Sequence, residues 1–303
     1  MKPLNISIRA IGPGSQPSGD EELQCVPMPR DVTTFAMPRL PESADAEHTA
    51  GARAVLVELL DRLKPSLRAG AGRNDGDGAV RIDVTQLAAG SAEVLNQTLG
   101  EGEVGVRIAG EREIRIQESV FAGVWREHHL DAAGNVVLDH VVACGIPPVA
   151  VERARAEGAV SIPEVEVPPG AMNSPALLQE LRACLRARRS GDPPHVINLT
   201  LLPLTPDDHT VLDSALGTGP VAIISRGFGN CRITATAVRD VWRVQYFNSM
   251  NTPILNTLEV VEIPEVALAA VEDLADSAER LQELVEWMGE SEVRDQGSRI
   301  GGI

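Results

Sequence analysis

Few residue spellings in this 303-residue chain could do chemistry. Gly100-Glu101-Gly102-Glu103-Val104-Gly105 has the GxGxxG spacing of a phosphate-binding turn. Such a turn works when a strand feeds a helix whose free amides face the phosphate. Here a helix feeds a strand, and Glu101 and Glu103 would repel a phosphate, so nucleotide binding is not expected. Six histidines are present (His48, His128, His129, His140, His195 and His209), and none forms an HxxxH or HExxH pair. His128 and His129 are neighbours on one strand and point to opposite faces, so they cannot share a metal ion. All six read as surface or strand-edge residues, and no metal or other cofactor is expected. No GxSxG nucleophile elbow occurs, and no carboxylate pair is marked for perturbed acidity.

The four cysteines (Cys25, Cys144, Cys184, Cys231) form no CxxC, which excludes a zinc ribbon or thioredoxin-type pair. Cys144 and Cys184 sit in apolar settings and read as small core residues. Cys231 follows Gly227-Phe228-Gly229-Asn230 at a turn, where Arg226 and Arg232 could favour a thiolate. It is a candidate reactive or partner-touching residue. Trp242, Tyr246, Asn248 and Ser249 follow in the densest aromatic and polar run of the chain.

The elements that must position these residues read as α+β. From about His48 a helix is expected, with Val55, Leu56, Leu59, Leu60 and Leu63 at helical spacing, limited by Pro65. After the glycine-rich stretch 69–78, a strand is expected over 80–87, a helix from Ser91 to Leu99, and strands near 104–108, 113–120, 124–130 and 136–144. A hairpin turn falls at 131–135, and a helix follows Pro147 through Glu157. After the Pro-containing linker 158–172 the pattern restarts with Asn173-Ser174-Pro175, a helix start. A strand is expected over 196–202, then a helix ending at Leu216-Gly217 and further strands. Ile263-Pro264 is read as opening a long amphipathic helix with Glu272, Asp273, Asp276, Glu279, Glu283 and Glu286 on its polar faces. That helix is expected to pack on its own half with a solvated acidic face, or to offer a surface for a partner helix or a basic peptide.

The restart is a tandem repeat. Val124-Trp125-Arg126 recurs as Val241-Trp242-Arg243 and Ile146-Pro147 as Ile263-Pro264, both 117 positions on (241 − 124; 263 − 146). Leu99, Gly100, Gly102, Val104, Ile116 and Leu138 recur at the same interval. The first helix recurs at 122 (177 − 55), which places five extra residues in the first copy's glycine-rich loop. The boundaries are thus an arm over 1–47, a first repeat over 48–157, a second over 173–290 and a flexible tail over 291–303. The arm is Pro-punctuated, and its Phe35, Met37 and neighbouring apolar residues need a surface, either the body or a partner.

Net charge of −16 argues against nucleic acid and anionic membranes, since both demand clustered cations. No secretion signal or membrane span is read, so a soluble cytoplasmic protein is expected.

Gly12-Pro13-Gly14-Ser15-Gln16-Pro17 and Met37-Pro38-Arg39-Leu40-Pro41 resemble the N-terminal signature of hydrogenase expression/formation proteins of the HupH/HyaF (HoxQ) type. Gly229-Asn230-Cys231-Arg232-Ile233, Val241 through Ser249 and Leu255 through Val260 resemble that family's C-terminal core. The resemblance implies a non-enzymatic accessory protein in the maturation of nickel–iron uptake hydrogenase. It implies a small, iron–sulfur subunit precursor as client, held before cofactor completion or twin-arginine export, and a thioredoxin-like accessory protein as neighbour. A redox or iron–sulfur-handling factor using Cys231, or a scaffold joining other maturation factors, is the alternative. An acidic chain would attract a basic, arginine-bearing signal peptide.

Overall fold

The computed structural model describes residues 46–68, 78–226 and 230–300; for 66, 68 and 291–300 it describes the backbone only. In chain order the first copy holds α1 (Ala46–Arg68), β1 (Val80–Asp83), α2 (Ala89–Leu99), β2 (Val104–Ile108), β3 (Ile114–Glu118), β4 (Val124–Leu130), β5 (Val136–Ala143) and α3 (Pro148–Glu157). The second holds α4 (Ser174–Ala187), β6 (His195–Asn198), α5 (Pro206–Leu216), β7 (Val221–Ser225), β8 (Asn230–Ala235), β9 (Val241–Phe247), β10 (Pro253–Val260) and α6 (Val271–Ile300). The fold is α+β, as the sequence predicts.

The two copies share one ten-stranded antiparallel sheet in the order β1-β5-β4-β3-β2-β7-β8-β9-β10-β6. They join edge to edge through β2 and β7, with Val104 opposite Ser225 and Ile108 opposite Val221. Alternation along the strands gives the sheet two apolar faces. On one face Val80, Ile82, Val124 and Val141 meet Leu56, Leu59 and Leu63 of α1, Leu95 and Leu99 of α2, and Leu274, Leu281 and Val285 of α6. On the other, Val106, Ile116, Trp125, Ile223, Ile233 and Trp242 form a core crossing the seam, covered by Ala150 and Ala154 of α3. A third cluster packs α4 and α5 on the second copy.

The duplicated positions are structural. Trp125 and Trp242 are fully buried, and their indole N–H groups donate to Cys144 O and Glu262 O. Gly102 and Gly219 lie so close to the carbonyls of Ser119 and Thr236 that a Cβ would stand 2.3 and 2.4 Å away. Ser119 and Thr236, themselves 117 apart, accept hydrogen bonds from Phe121 N and Val238 N.

Several expectations are corrected. α1 runs through Pro65 to Arg68: the proline forfeits the one bond to Asp61 O, and Leu67, packed against the core, holds the last turn in place. The first strand stops at Asp83, whose carboxylate accepts from Thr85 N and turns the chain. The strand expected over 196–202 spans His195–Asn198; the Asn198 side chain then caps a single 3-10 turn over Leu199–Leu201. Pro264 opens only another 3-10 turn, Glu265–Ala267, and α6 starts at Val271. α6 also continues to Ile300, where a tail was expected after 290. It does not pack on its own half: its apolar stripe joins α1 and α2 of the first copy. Conversely α3 straddles the seam: its Arg153 donates to Ala109 O of the first copy, and its Arg155 binds Glu262 and Asp240 of the second.

Candidate functional site

A cavity of about 310 Å³ opens on the seam-crossing face where the two copies meet. The first copy contributes Glu103 from the entry to β2 and Glu118 and Val120 from the β3–β4 hairpin. The second contributes Ser225, Cys231 and Tyr246, roofed by Val266–Ala269 and by Asp273 in the first turn of α6. The hairpin is held by Gly123, at φ +76, whose N–H donates to Glu118 Oε1 at 3.0 Å. At that φ a side chain would be strained, and a Cβ would also press on Leu274 of α6.

The electrostatics of the cavity follow from burial. Glu118 is 8% exposed, and its carboxyl is pushed up to about 7, first by burial and then by the nearby charges of Glu103 and Asp273. The Gly123 amide works in the opposite direction. Cys231 is buried and pushed up to about 11, so it is a thiol at neutral pH. The expected thiolate does not form: burial is what keeps the thiol protonated, and Arg232, the next residue on β8, points to the other face. There it lies 4.2 Å over the Phe247 ring and donates to Asn251. Tyr246 hydrogen-bonds Cys231 and is raised to about 12, chiefly by burial. Chemically the cavity offers apolar walls and up to three carboxylates, a combination suited to a guanidinium or ammonium group carried on an apolar stem.

Of the residues singled out in the sequence, the cavity brings Cys231, Tyr246 and Asp273 together. Trp242 and Cys231 are 1% and 2% exposed; Trp242 lies in the seam-crossing core, and Cys231 forms part of the cavity wall. Asn248 is occupied in the β9–β10 turn, its Oδ1 accepting from Met250 N and Thr252 N. Asp131, 117 residues earlier, does the same for Ala133 N and Asn135 N. Ser249 is exposed in that turn. Phe35 and Met37 lie outside the described residues.

A second cluster was not visible to spacing arguments. Glu127 and His129 share one face of β4, and His140 stands directly opposite Glu127 on β5. Their ligand atoms all lie within 4.8 Å of one another. The reading of His129 and His140 as surface or strand-edge residues is corrected: their side chains are only 19% and 12% exposed. A register centred on the 131–135 turn pairs 127 with 139 (131 + 135 − 127); a β-bulge between His129 and Leu130 shifts the partner to His140. Glu118, likewise, gained its perturbed acidity from a cavity closed by residues more than 100 positions away.

The model of the family described as HupH hydrogenase expression protein, C-terminal conserved region, matches twice, over residues 49–164 and 171–288. The hydrogenase expression/formation protein HoxQ of Cupriavidus necator is 43% identical over 95% of this chain and 99% of its own length. The hydrogenase expression/formation protein HupH of Rhodobacter capsulatus is 42% identical over 91% of this chain and 95% of its own. The hydrogenase-1 operon protein HyaF of Escherichia coli is 34% identical over 93% of this chain and 96% of its own. Among solved structures, the hydrogenase expression protein HupH from Thiobacillus denitrificans is 28% identical, covering 39% of this chain and 96% of that one, with a TM-score of 0.35. Matched in both copies and along nearly its whole length, the chain belongs to the HupH family of hydrogenase expression proteins.

Proposed function

We propose that this chain is a non-enzymatic accessory protein of hydrogenase maturation. It holds the small, iron–sulfur subunit of a nickel–iron uptake hydrogenase in the cytoplasm before cofactor completion or twin-arginine export. The observation that carries the maturation role is the family match, which runs through both copies and joins relatives named for hydrogenase expression and formation. The seam cavity supports a basic segment as the part that is held. Glu103, Glu118 and Asp273 face a partly apolar hollow on a chain of net charge −16. An arginine inserted there would exchange hydration for charge-assisted hydrogen bonds. The redox reading through Cys231 is less favoured, because a buried, tyrosine-bonded thiol pushed up to about 11 is a poor nucleophile and metal ligand. The scaffold reading would engage a thioredoxin-like accessory protein without engaging the client.

Co-purification tests this. The tagged full-length chain should enrich the small-subunit precursor, and enrichment should drop when the precursor lacks its signal peptide. The double variant Glu103→Gln, Asp273→Asn should retain less precursor at low salt. A chain lacking residues 1–47 separates the arm from the seam cavity as the holding element. No enrichment of precursor with its signal peptide present would overturn the proposal; enrichment of the thioredoxin-like protein alone would favour the scaffold.

A further inference from the structure

We propose that Glu127, His129 and His140 form a binding site for a divalent first-row transition ion of the zinc or iron class. The donor set is two imidazoles and one carboxylate, the combination that holds such ions while leaving coordination positions open. Glu127 has no exposed surface. Its Oε1 lies 2.7 Å from His129 Nε2 and 3.4 Å from His140 Nδ1. Ligand atoms bound tetrahedrally at about 2.1 Å stand roughly 3.4 Å apart, so His140 and Glu127 already have the separation an ion requires. The two imidazole rings meet edge to face, with centroids 5.6 Å apart, and present their nitrogens to the same oxygen.

Two further observations point to a ligand. First, His140 Nδ1 is buried without a hydrogen-bond partner, on a side chain only 12% exposed; buried polar atoms are ordinarily satisfied. An ion between the three groups would satisfy it. Second, the fold does not require these residues. At the positions 117 further on, the second copy carries Val244, Tyr246 and Thr257, and Val244 is fully buried in the same strand geometry. A buried carboxylate in place of that valine carries a desolvation cost that the fold itself does not demand. Arg81 holds the other oxygen, Oε2, at 3.2 Å, which orients the carboxylate with Oε1 toward the imidazoles. The cluster faces solvent across a thinly covered part of the sheet, where Leu138, opposite His129, is 37% exposed and Arg81 and Asp83 are exposed.

The test uses the purified full-length chain, stripped with chelator and titrated with Zn(II) by calorimetry and with Co(II) by visible absorption. One equivalent should bind, and cobalt should give the absorption bands of a four- or five-coordinate nitrogen–oxygen site. Glu127→Val and His140→Thr each install the residue of the second copy and should fold. Losing even a partner that only orients a ligand costs about 10–100-fold in metal affinity, so either change should weaken binding at least about 100-fold. His195→Gln, at an exposed histidine on the far edge strand, should bind as the parent does. Absence of a saturable equivalent overturns the site, as does parental affinity in either substituted chain with its circular dichroism spectrum intact. Should one of them fail to fold, the other and His129→Tyr decide.

Discussion

Val106 pairs directly with Ile223, the residue that holds its own place in the second copy (223 − 106 = 117). The register on either side is therefore the same read from either copy, as in an isologous interface between subunits. A separated copy would expose β2 or β7 as a free apolar edge. The fused sheet instead ends in β1 and β6, each only four residues long. Helices reinforce the join, since α6 packs on the first copy and α3 reaches toward the second.

The two copies should accordingly unfold together. Ile223 is 1% exposed, and Ile223→Ala is expected to cost about 3 kcal/mol through lost burial and the cavity left behind. Urea denaturation followed by circular dichroism should show one transition at a lower midpoint. Hydrogen exchange should show β4 and β9 losing protection together. Two separable transitions would mean that the seam does not couple the copies.

The repeat was legible because the fold-determining residues are the ones duplicated. Trp125 and Trp242, or Gly102 and Gly219, answer the same local packing demand, so they sit at constant spacing. Illegible were the features that depend on which copy touches which. The apolar stripe of α6 is plain from Leu274 to Met288, but periodicity cannot say that it covers α1. Glu127, His129 and His140 failed every local motif because their adjacency is made across a hairpin, not along one.

Asp208 gives a prediction that rests on one copy only. Its Oδ1 accepts from Asn173 N and Ser174 N, and its Oδ2 from Thr205 N, so one carboxylate caps the starts of both α4 and α5. The first copy has Ser91 at this place (208 − 117). Burial would raise the carboxyl, but the amides of Ser174, Thr205 and Asn173 outweigh it and hold it well below the ordinary 3.8. A depressed folded value means stability that is present above 3.8 and lost as pH falls below it. Asp208→Ala is expected to cost about 2 kcal/mol at pH 7, the upper range for a helix cap. The gap between parent and variant should narrow in urea titrations as pH drops below 4. An equal gap at every pH would assign the loss to packing instead of charge.

Glu118 titrates in the opposite sense. Its carboxyl rises from 4.5 to about 7 on folding, so the folded chain holds a proton that the unfolded chain releases between these values. Stability from this group is therefore full below pH 4.5 and falls as pH rises toward 7 and beyond. The shift corresponds to about 3 kcal/mol. Glu118→Gln keeps an oxygen to accept from Gly123 N and carries no charge to desolvate. It should match the parent near pH 4.5 and exceed it in urea midpoint at pH 8. The same proton should govern the cavity. With Glu118 ionised, Glu103 and Asp273 gain a third negative partner beside the apolar roof. Binding of an arginine-bearing peptide to the parent should tighten from pH 6 to pH 8, while the Gln variant should show a smaller change. A Gln variant less stable at both pH values, with peptide binding that tracks the parent, would mean that Glu118 is held ionised by partners at the cavity and titrates below this range.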